Sequence, residues 1–253
     1  MHGWEGSANS LYMLSAAQSL FDAGFEVVRL NFRDHGDTHH LNEDLFHSCR
    51  LPEVIGAVRA VQRALPDQPL HLVGFSLGGN FALRVAAAAT EANIRVARTV
   101  AVSPLLDPKR TLLQLDRRAP LYHQYFVLKW SRSLLKKQAA WPRRYHFGPV
   151  MRSRKLLKMT DELVRQHTEY PSMDEYLAGY ALTGDRLASL TTPATILTSL
   201  DDPIIAAADL YRLSANGSLR VRLTASGGHC GYLTDLTGPS WLDRILLEEF
   251  APT

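Results

Sequence analysis

Apolar runs and amphipathic helical patterns alternate along most of this 253-residue chain, and this alternation limits the possible fold more than any other feature. Runs rich in β-branched and large apolar residues predict buried strands at 25–32, 70–75, 96–102, 194–200 and 219–223. Apolar residues recur at helical spacing at 7–21, 52–65, 77–89 and 242–250. Strands that alternate with helices favour a mostly parallel sheet with crossover helices, which is the α/β class.

Two stretches depart from the simple alternation. In the last strand, apolar residues alternate with Arg220 and Arg222, which predicts one solvated face and a place near a sheet edge. From about 105 to 190, helical patterns follow one another without a convincing strand, and no flexible Gly/Ser run flanks them. We therefore predict a single α/β domain over 1–253, with a helical cap inserted at about 105–190.

The composition is that of an ordinary globular protein, with 46% hydrophobic and 21% charged residues. No apolar run approaches the length of about 18 residues that a membrane span needs. The first residues lack the basic and apolar regions of a secretory signal. Cys49 and Cys230 cannot form a disulfide framework, so the expected compartment is the reducing cytoplasm.

The basic residues are unevenly distributed. The stretch 117–160 holds 12 Lys and Arg residues and no Asp or Glu, whereas acidic residues exceed basic ones in the rest of the chain. Such a run is usually a solvated helix face. Large apolar residues such as Trp130 and Trp141 are interleaved with it, which also allows weak contact with an anionic membrane surface. No recognised nucleic-acid motif accompanies the charge, and we expect no nucleic acid.

The segment Gly74-Phe-Ser-Leu-Gly78 fits the G-x-S-x-G nucleophile elbow, with a predicted strand before it and a predicted helix after it. A serine on such a sharp turn needs small residues two positions before and two after it, because the two backbones pass close together. A helix that begins behind Ser76 would also favour a developing negative charge. Ser76 is therefore the predicted nucleophile.

A serine nucleophile needs a base and an acid that orients the base. Asp201 and Asp202 follow a predicted strand at its carboxyl end, where α/β sheets place their active sites. His229 follows the last predicted strand and is the predicted base. From the residues alone either aspartate could be the acid, with the other capping the following turn.

His2-Gly3-Trp4 precedes a predicted helix and the strand at 25–32, which is the setting of an oxyanion loop. The backbone amides of Trp4 and Leu77 are the predicted oxyanion donors.

Taken together, these motifs resemble the YheT-like branch of the α/β-hydrolases, which contains bacterial esterases and mammalian lipid hydrolases. The motifs are His2-Gly-Trp-Glu-Gly-Ser7, Asn31-Phe-Arg33, Phe46-His-Ser48, Gly74-Phe-Ser-Leu-Gly-Gly-Asn80, Ser172-Met-Asp-Glu-Tyr176, Asp201-Asp-Pro203 and Gly227-Gly-His229. The resemblance implies hydrolysis of carboxylic esters by Ser76, Asp202 and His229. It also selects Asp202 as the acid, because the second Asp of the Asp-Asp-Pro motif has this role in the family.

The loop at 34–40 departs from the family pattern and contains Asp34, His35, Asp37, His39 and His40. All are residue types that bind metals, but they crowd one loop with no distant carboxylate or cysteine motif to complete a shell. A solvated turn beside the pocket is the favoured interpretation. We therefore predict no metal and no cofactor.

The start of the chain departs as well, because one residue precedes the His-Gly motif where the family has a sizeable segment. In the resembling fold, a strand just before this motif lies between the strands predicted here at 25–32 and 70–75. We expect that N-terminal strands are missing, that a gap separates those two strands, and that the natural chain is longer.

Two functions compete at this stage. The favoured one is a serine esterase or lipase that acts on a small-molecule or lipid ester through an acyl-enzyme. The alternative is a binding protein of the same fold that has no catalytic activity and uses the basic cap as a docking surface. The complete Ser, Asp and His set favours the enzyme.

Overall fold

A computed structural model describes residues 1–232 and 240–251. The described strands are parallel and form one sheet in the order β1-β2-β3-β4. They are β1 at Leu70–Phe75, β2 at Val96–Val102, β3 at Ala194–Ser199 and β4 at Leu219–Thr224. The sequence predicted all four to within one residue at each end, which confirms the α/β class.

Helices connect the strands and cover the sheet. In chain order they are α1 at Leu11–Asp22, α2 at Leu51–Ala64, α3 at Leu77–Ala87, α4 at Pro108–Arg118, α5 at Pro120–Ala140, α6 at Gly148–Met151, α7 at Leu156–His167, α8 at Met173–Gly179 and α9 at Trp241–Phe250. Within the described ranges, none of these helices is both long and apolar enough to cross a membrane.

Alternate residues of the central strands pack on opposite faces of the sheet. Val100 and Val102 of β2 belong to a cluster with α1 and α9, whereas Ala101 belongs to a cluster with Leu83 of α3. β3 repeats the pattern, with Leu197 on the first face and Ile196 on the second. Because both faces are covered, the central strands are apolar throughout, as parallel strands usually are.

The edge strand β4 differs from the expectation of one solvated arginine face. Arg220 and Arg222 both pair with Glu249 of α9, a carboxylate that is almost fully buried. Val221 and Leu223 instead are 43% and 46% exposed. The buried carboxylate of Glu249 explains why both arginines turn towards α9, because a charge removed from water needs cationic partners close to it.

The segment 105–190 lies between β2 and β3 and contains α4 to α8. Its apolar side chains do not form a separate core. Trp130 and Leu134 of α5 and Phe147 belong to the same buried cluster as Phe32 and Phe81. The helices between β2 and β3 are therefore packed directly onto the sheet domain.

The predicted strand at 25–32 is absent, and the described chain has no ladder in this segment. The backbone amide of Phe32 donates to the imidazole Nε2 of His2, at 3.2 Å, rather than to another strand. β propensity is largely a fit to neighbouring strands. Among the described residues, none supplies the partner that a ladder here would need.

A cleft of about 460 Å³ separates this segment from β1. Apolar side chains of α1, α2 and residues 25–30 line it, together with β1. Met1 lies against β1 at one end, where its backbone nitrogen donates to Val73 O at 2.7 Å and its carbonyl accepts from Phe75 N at 3.0 Å. The gap that the sequence predicted is therefore present between residues 25–30 and β1.

Candidate active site

Ser76 lies on a sharp turn between β1 and α3 and has φ of 53°. The turn is held by hydrogen bonds from Ser76 N to Val102 O, at 2.8 Å, and from Leu105 N to Ser76 O, at 3.2 Å. A non-glycine residue with positive φ is strained and is retained only where the surroundings enforce it. Such strain is typical of residues at functional sites, which favours a functional role for Ser76.

Two glycines make this turn sterically possible. A Cβ added to Gly74 would lie 2.1 Å from Gly78 O, and one added to Gly78 would lie 2.4 Å from Met1 O. Both distances are far below contact, so the backbone approach excludes any side chain at either position. The sequence predicted this requirement from the spacing alone.

His229 and Asp202 form a hydrogen-bonded pair at the carboxyl ends of neighbouring strands. His229 Nδ1 lies 2.9 Å from Asp202 Oδ2 and 3.1 Å from Oδ1. The Asp202 side chain is fully buried, and its Oδ1 also accepts the backbone amides of Ile204 and Ile205, at 2.8 and 2.9 Å. A carboxylate that accepts several hydrogen bonds is held in one orientation. It can therefore fix Nδ1 as the protonated nitrogen of His229 and leave Nε2 free to accept a proton.

Asp201 is exposed and binds the backbone of the loop that carries His229. Its Oδ1 accepts the Gly228 amide at 2.9 Å, and this hydrogen bond lowers the pKa of the Asp201 carboxyl. The residue therefore supports the loop that carries His229. Asp202 itself caps the turn that follows it. The sequence had suggested that the other aspartate, the one not paired with the histidine, would cap this turn.

The loop carrying His229 is closely packed beneath Tyr232. A Cβ on Gly227 would lie 2.3 Å from the Tyr232 ring, and Tyr232 N donates to Gly227 O at 3.0 Å. Cys230 is buried, its thiol faces Val102 O, and burial raises its pKa. A thiol whose ionisation is disfavoured is a poor nucleophile, so Cys230 packs the loop and does not compete with Ser76.

The predicted oxyanion loop lies directly beside the elbow. A Cβ on Gly3 would lie 3.2 Å from Ser76 Cβ, and the Gly3 amide donates to the Tyr12 hydroxyl at 3.0 Å. The Trp4 ring stacks on Phe126 of α5, with centroids 5.1 Å apart. Among the described residues, the amides of Trp4 and Leu77 have no hydrogen-bond acceptor. Both therefore remain available to a ligand at Ser76.

His2 anchors this loop from the inside. Its ring is fully buried, with Nδ1 2.8 Å from Gly3 O and Nε2 accepting the Phe32 amide. Nδ1 must then be the protonated nitrogen, and the ring is neutral. Burial, reinforced by the neighbouring His35, lowers the pKa of His2 to about 3.

The histidine-rich loop is bound to the cap helix α5 by polar contacts. His39 Nε2 lies 2.9 Å from Ser133 Oγ, and the loop's aspartates pair with consecutive lysines of α5, Asp34 with Lys137 and Asp37 with Lys136. No group of three or more metal-binding side chains is assembled within the described ranges. The loop's polar atoms are instead used to hold the cap.

The pair Lys137–Asp34 is unusual because both side chains are almost fully buried. Lys137 Nζ lies 2.9 Å from Asp34 Oδ1 and also donates to the carbonyls of Asn42, at 2.6 Å, and Asp44, at 3.0 Å. The sequence analysis placed Lys137 in a basic run without distinguishing it from its neighbours. Part of that run is therefore internal, and not a solvated face.

A cavity of about 960 Å³ lies beside Ser76 and His229. Ser76 and His229 line it, together with Gly3, Trp4 and Ile204. One face of α5 forms a wall, with the side chains of Tyr122, Tyr125, Phe126, Lys129, Arg132, Ser133 and Lys136. The sequence patterns had not indicated that α5 contributes to the site. The helical spacing of these seven residues is the signal that could have placed them on one face of α5.

Glu5 also lines this cavity, between the oxyanion loop and α5. Burial raises the pKa of its carboxyl to about 8, although Lys129 and the hydroxyl of Ser133 act in the opposite direction. The charged form of Glu5 is therefore disfavoured in this cavity.

A model of the α/β-hydrolase fold family matches residues 1–236. The chain therefore belongs to the α/β-hydrolase family. It is 25% identical over 250 residues to YheT of Escherichia coli strain K12, which is named as a candidate esterase; the match covers 96% of this chain and 72% of YheT. This confirms the resemblance to the YheT-like branch.

Two further similarities support the family. Monoacylglycerol lipase ABHD2 of Danio rerio is 24% identical over 213 residues, which is 77% of this chain and 50% of the lipase. Among solved structures, the Pyrococcus furiosus esterase Pf2001 aligns with a TM-score of 0.61 at 15% identity, covering 98% of this chain and 79% of the esterase. At that identity the alignment shows the fold alone.

Proposed function

We propose that this protein is a serine hydrolase that cleaves carboxylic esters through an acyl-enzyme intermediate. The observation that carries the proposal is the Asp202–His229 pair, because His229 lines the same cavity as Ser76 on its strained turn. The esterase and lipase relatives support hydrolase chemistry of this kind.

In the acylation step, Ser76 Oγ attacks the ester carbonyl carbon while His229 Nε2 takes the hydroxyl proton. The resulting imidazolium is stabilised by Asp202, which accepts from Nδ1–H. When the tetrahedral intermediate collapses, the bond from carbon to the alkoxy oxygen breaks. His229 then donates its proton to the leaving alcohol, and the acyl group stays on Ser76.

In the deacylation step, a water molecule attacks the acyl carbon and gives a proton to His229. Collapse releases the carboxylic acid and returns the proton to Ser76 Oγ. In both steps the amides of Trp4 and Leu77 would stabilise the oxyanion, and one such donor is typically worth about 10²–10³-fold in kcat. Leu77 is the first residue of α3, so the helix dipole acts in the same direction.

A fluorophosphonate probe tests the nucleophile directly. We expect covalent labelling of the folded protein at Ser76, located by peptide mass spectrometry, and loss of labelling in Ser76→Ala. Hydrolysis of a p-nitrophenyl ester series should be lost in the same variant, down to the residual rate that binding and the oxyanion hole leave. Labelling at another residue, or full activity of Ser76→Ala, would contradict the proposal.

The outer side of α5 supports a second, weaker function, which is contact with an anionic membrane surface. Leu121, Leu128 and Leu135 recur every seven residues and are 80%, 48% and 49% exposed. The run 117–160 that contains this stripe holds 12 Lys and Arg residues and no Asp or Glu, and each basic residue that lies near an anionic surface contributes about 1 kcal/mol at low salt. We expect weak co-sedimentation with phosphatidylserine vesicles that high salt abolishes and that Leu128→Ser reduces. Absence of binding at low ionic strength, or binding that salt does not change, would contradict it.

A further inference from the structure

The side of the cavity that α5 forms carries cationic side chains, which ester hydrolysis alone does not require. Along the face of α5 that lines the cavity, aromatic residues occupy the first turns and cations the following ones. Lys129, Arg132 and Lys136 are spaced by three and four residues, so their side chains lie on one side of the helix.

Two of these cations form no salt bridge within the described residues, although the charge of Lys129 is close enough to the Glu5 carboxyl to act against the rise in its pKa. Lys136 pairs with Asp37. Within residues 1–232 and 240–251, Lys129 and Arg132 form no ion pair with a carboxylate. Lys129 instead lies 5.6 Å from the centre of the Tyr125 ring. Both side chains thus present positive charge to the cavity.

The acidic residues around the cavity are held by other groups, and within the described residues none forms an ion pair with Lys129 or Arg132. Asp34 is taken by the buried Lys137, and Asp37 by Lys136. Asp243 lies at the start of α9, where its carboxylate accepts the Ser15 hydroxyl, at 2.7 Å, and the Ser240 amide, at 3.0 Å. The remaining acid, Glu5, has its pKa raised to about 8 by burial, which disfavours its charged form near neutral pH.

We propose that the cavity takes esters that carry an anionic group, and that Lys129 and Arg132 bind this group while Ser76 acts on the ester. The inference rests on the proposed function and names its substrate class. A guanidinium and an ammonium on one wall suit a carboxylate, phosphate or sulfate. The aromatic residues Tyr122, Tyr125 and Phe126 on the same face are suited to the apolar part of such a substrate.

Pairs of esters that differ only in charge test this selection. On the acyl side, the mono-4-nitrophenyl ester of adipic acid is compared with the 4-nitrophenyl ester of adipic acid monoamide. On the alcohol side, 4-acetoxybenzoate is compared with 4-acetoxybenzamide. We expect kcat/KM to favour the anionic member of at least one pair by about tenfold, because ionic hydrogen bonds are about twice as strong as neutral ones.

Matched variants assign the preference to the cavity wall. Arg132→Met and Lys129→Met should remove most of the preference, because each lowers kcat/KM for the anionic ester much more than for its neutral partner. Arg118→Met on α4 and Lys158→Met on α7 are the controls, because both residues are exposed and neither lines the cavity. A preference absent from both pairs, or kept in the two wall variants, would overturn the proposal.

A binding measurement separates this test from that of the esterase activity. The Ser76→Ala variant is titrated with 4-acetamidobenzoate and with its neutral amide, which need no turnover. Tighter binding of the anion, lost in the Ser76→Ala/Arg132→Met double variant, supports the anion site even if no ester is hydrolysed. Equal binding of the two ligands counts against it, whatever the result of fluorophosphonate labelling.

Discussion

The two flanks of β1 are built in different ways. On one flank, β1 pairs with β2 from Leu70 to Phe75, with one register shift after Leu70, and β3 and β4 continue the parallel sheet. On the other flank lies the cleft, and among residues 1–232 and 240–251 only Met1 makes backbone hydrogen bonds to β1 there. Ser76, Asp202 and His229 follow strands of the paired flank, whereas Trp4 follows Met1 on the open one.

This difference shows two ways of positioning a reactive group. The proposed triad is held by backbone ladders and by backbone amides that bind Asp202. The proposed oxyanion loop is held by side chains, namely the buried ring of His2, the Tyr12 hydroxyl and the stacking of Trp4 on Phe126. We therefore expect changes on the paired flank to act locally on chemistry or to break the turn, and changes on the open flank to act through stability.

The largest effect should come from the acid of the proposed triad. Asp202→Asn keeps the volume but removes the charge that fixes the tautomer of His229, so we expect kcat/KM for ester hydrolysis to fall about 10³–10⁴-fold. Asp201→Asn is the control, since Asp201 contacts the backbone of the loop and not the imidazole. We expect it to lose less than about tenfold. Equal losses would mean that the wrong aspartate has been chosen.

The turn itself should be the next most sensitive feature. Gly74→Ala places a methyl group 2.1 Å from Gly78 O, and the chain cannot relieve this without moving Ser76. We expect the free energy of unfolding in urea to fall by about 4 kcal/mol or more, or no folded protein at all.

Gly56→Ala is the matched control for the turn. Gly56 lies inside α2, where an added Cβ would contact nothing within 4 Å. The same substitution should stabilise the protein by about 0.5–1 kcal/mol. A folded and active Gly74→Ala variant would show that the elbow is not rigid.

Substitution of the buried Lys137 tests whether its ion pair with Asp34 holds the histidine-rich loop against the cap helix α5. Lys137→Met leaves Asp34 buried without its cation, and we expect a loss of about 3–5 kcal/mol in the free energy of unfolding. Lys136→Met breaks an ion pair between exposed residues, and should cost about 0–1 kcal/mol. If the two variants lose the same stability, the Lys137 pair does not hold the loop.

The smallest effect is the pH dependence contributed by His2. Its pKa is about 3 in the folded protein and about 6.5 when unfolded, so the unfolded chain binds the proton first as pH falls. The stability from neutral His2 is complete above pH 6.5 and is lost below it, by about 1–2 kcal/mol between pH 6.5 and 5.

The measurement compares wild type with His2→Gln across this pH range. Glu5 has a raised pKa and acts with the opposite sign, so only the difference between the two proteins isolates His2. We expect the stability difference to shrink as pH falls from 7 to 5. A constant difference would show that His2 is not held neutral.

Much of the site was predictable because it depends on local rules. The strand before Ser76, the helix after it and the flanking glycines all follow from residues within a short window. The choice between Asp201 and Asp202 did not follow from the residues, because the two are adjacent and chemically identical. It depends on which side chain turns inward towards His229, and family resemblance supplied the preference that the geometry now supports.

What the sequence determined by itself was the position of the four paired strands and of most helices, the parallel sheet and the glycine-flanked turn at Ser76. These follow from side-chain periodicity and backbone sterics, which act within a few residues. Only the tertiary structure decided that residues 25–32 form no strand, that Arg220 and Arg222 face Glu249, and that Lys137 is buried while Arg132 lines the cavity. The physical reason is that ladders, ion pairs and desolvation require a partner from a distant part of the chain, and the pattern of one segment does not specify that partner.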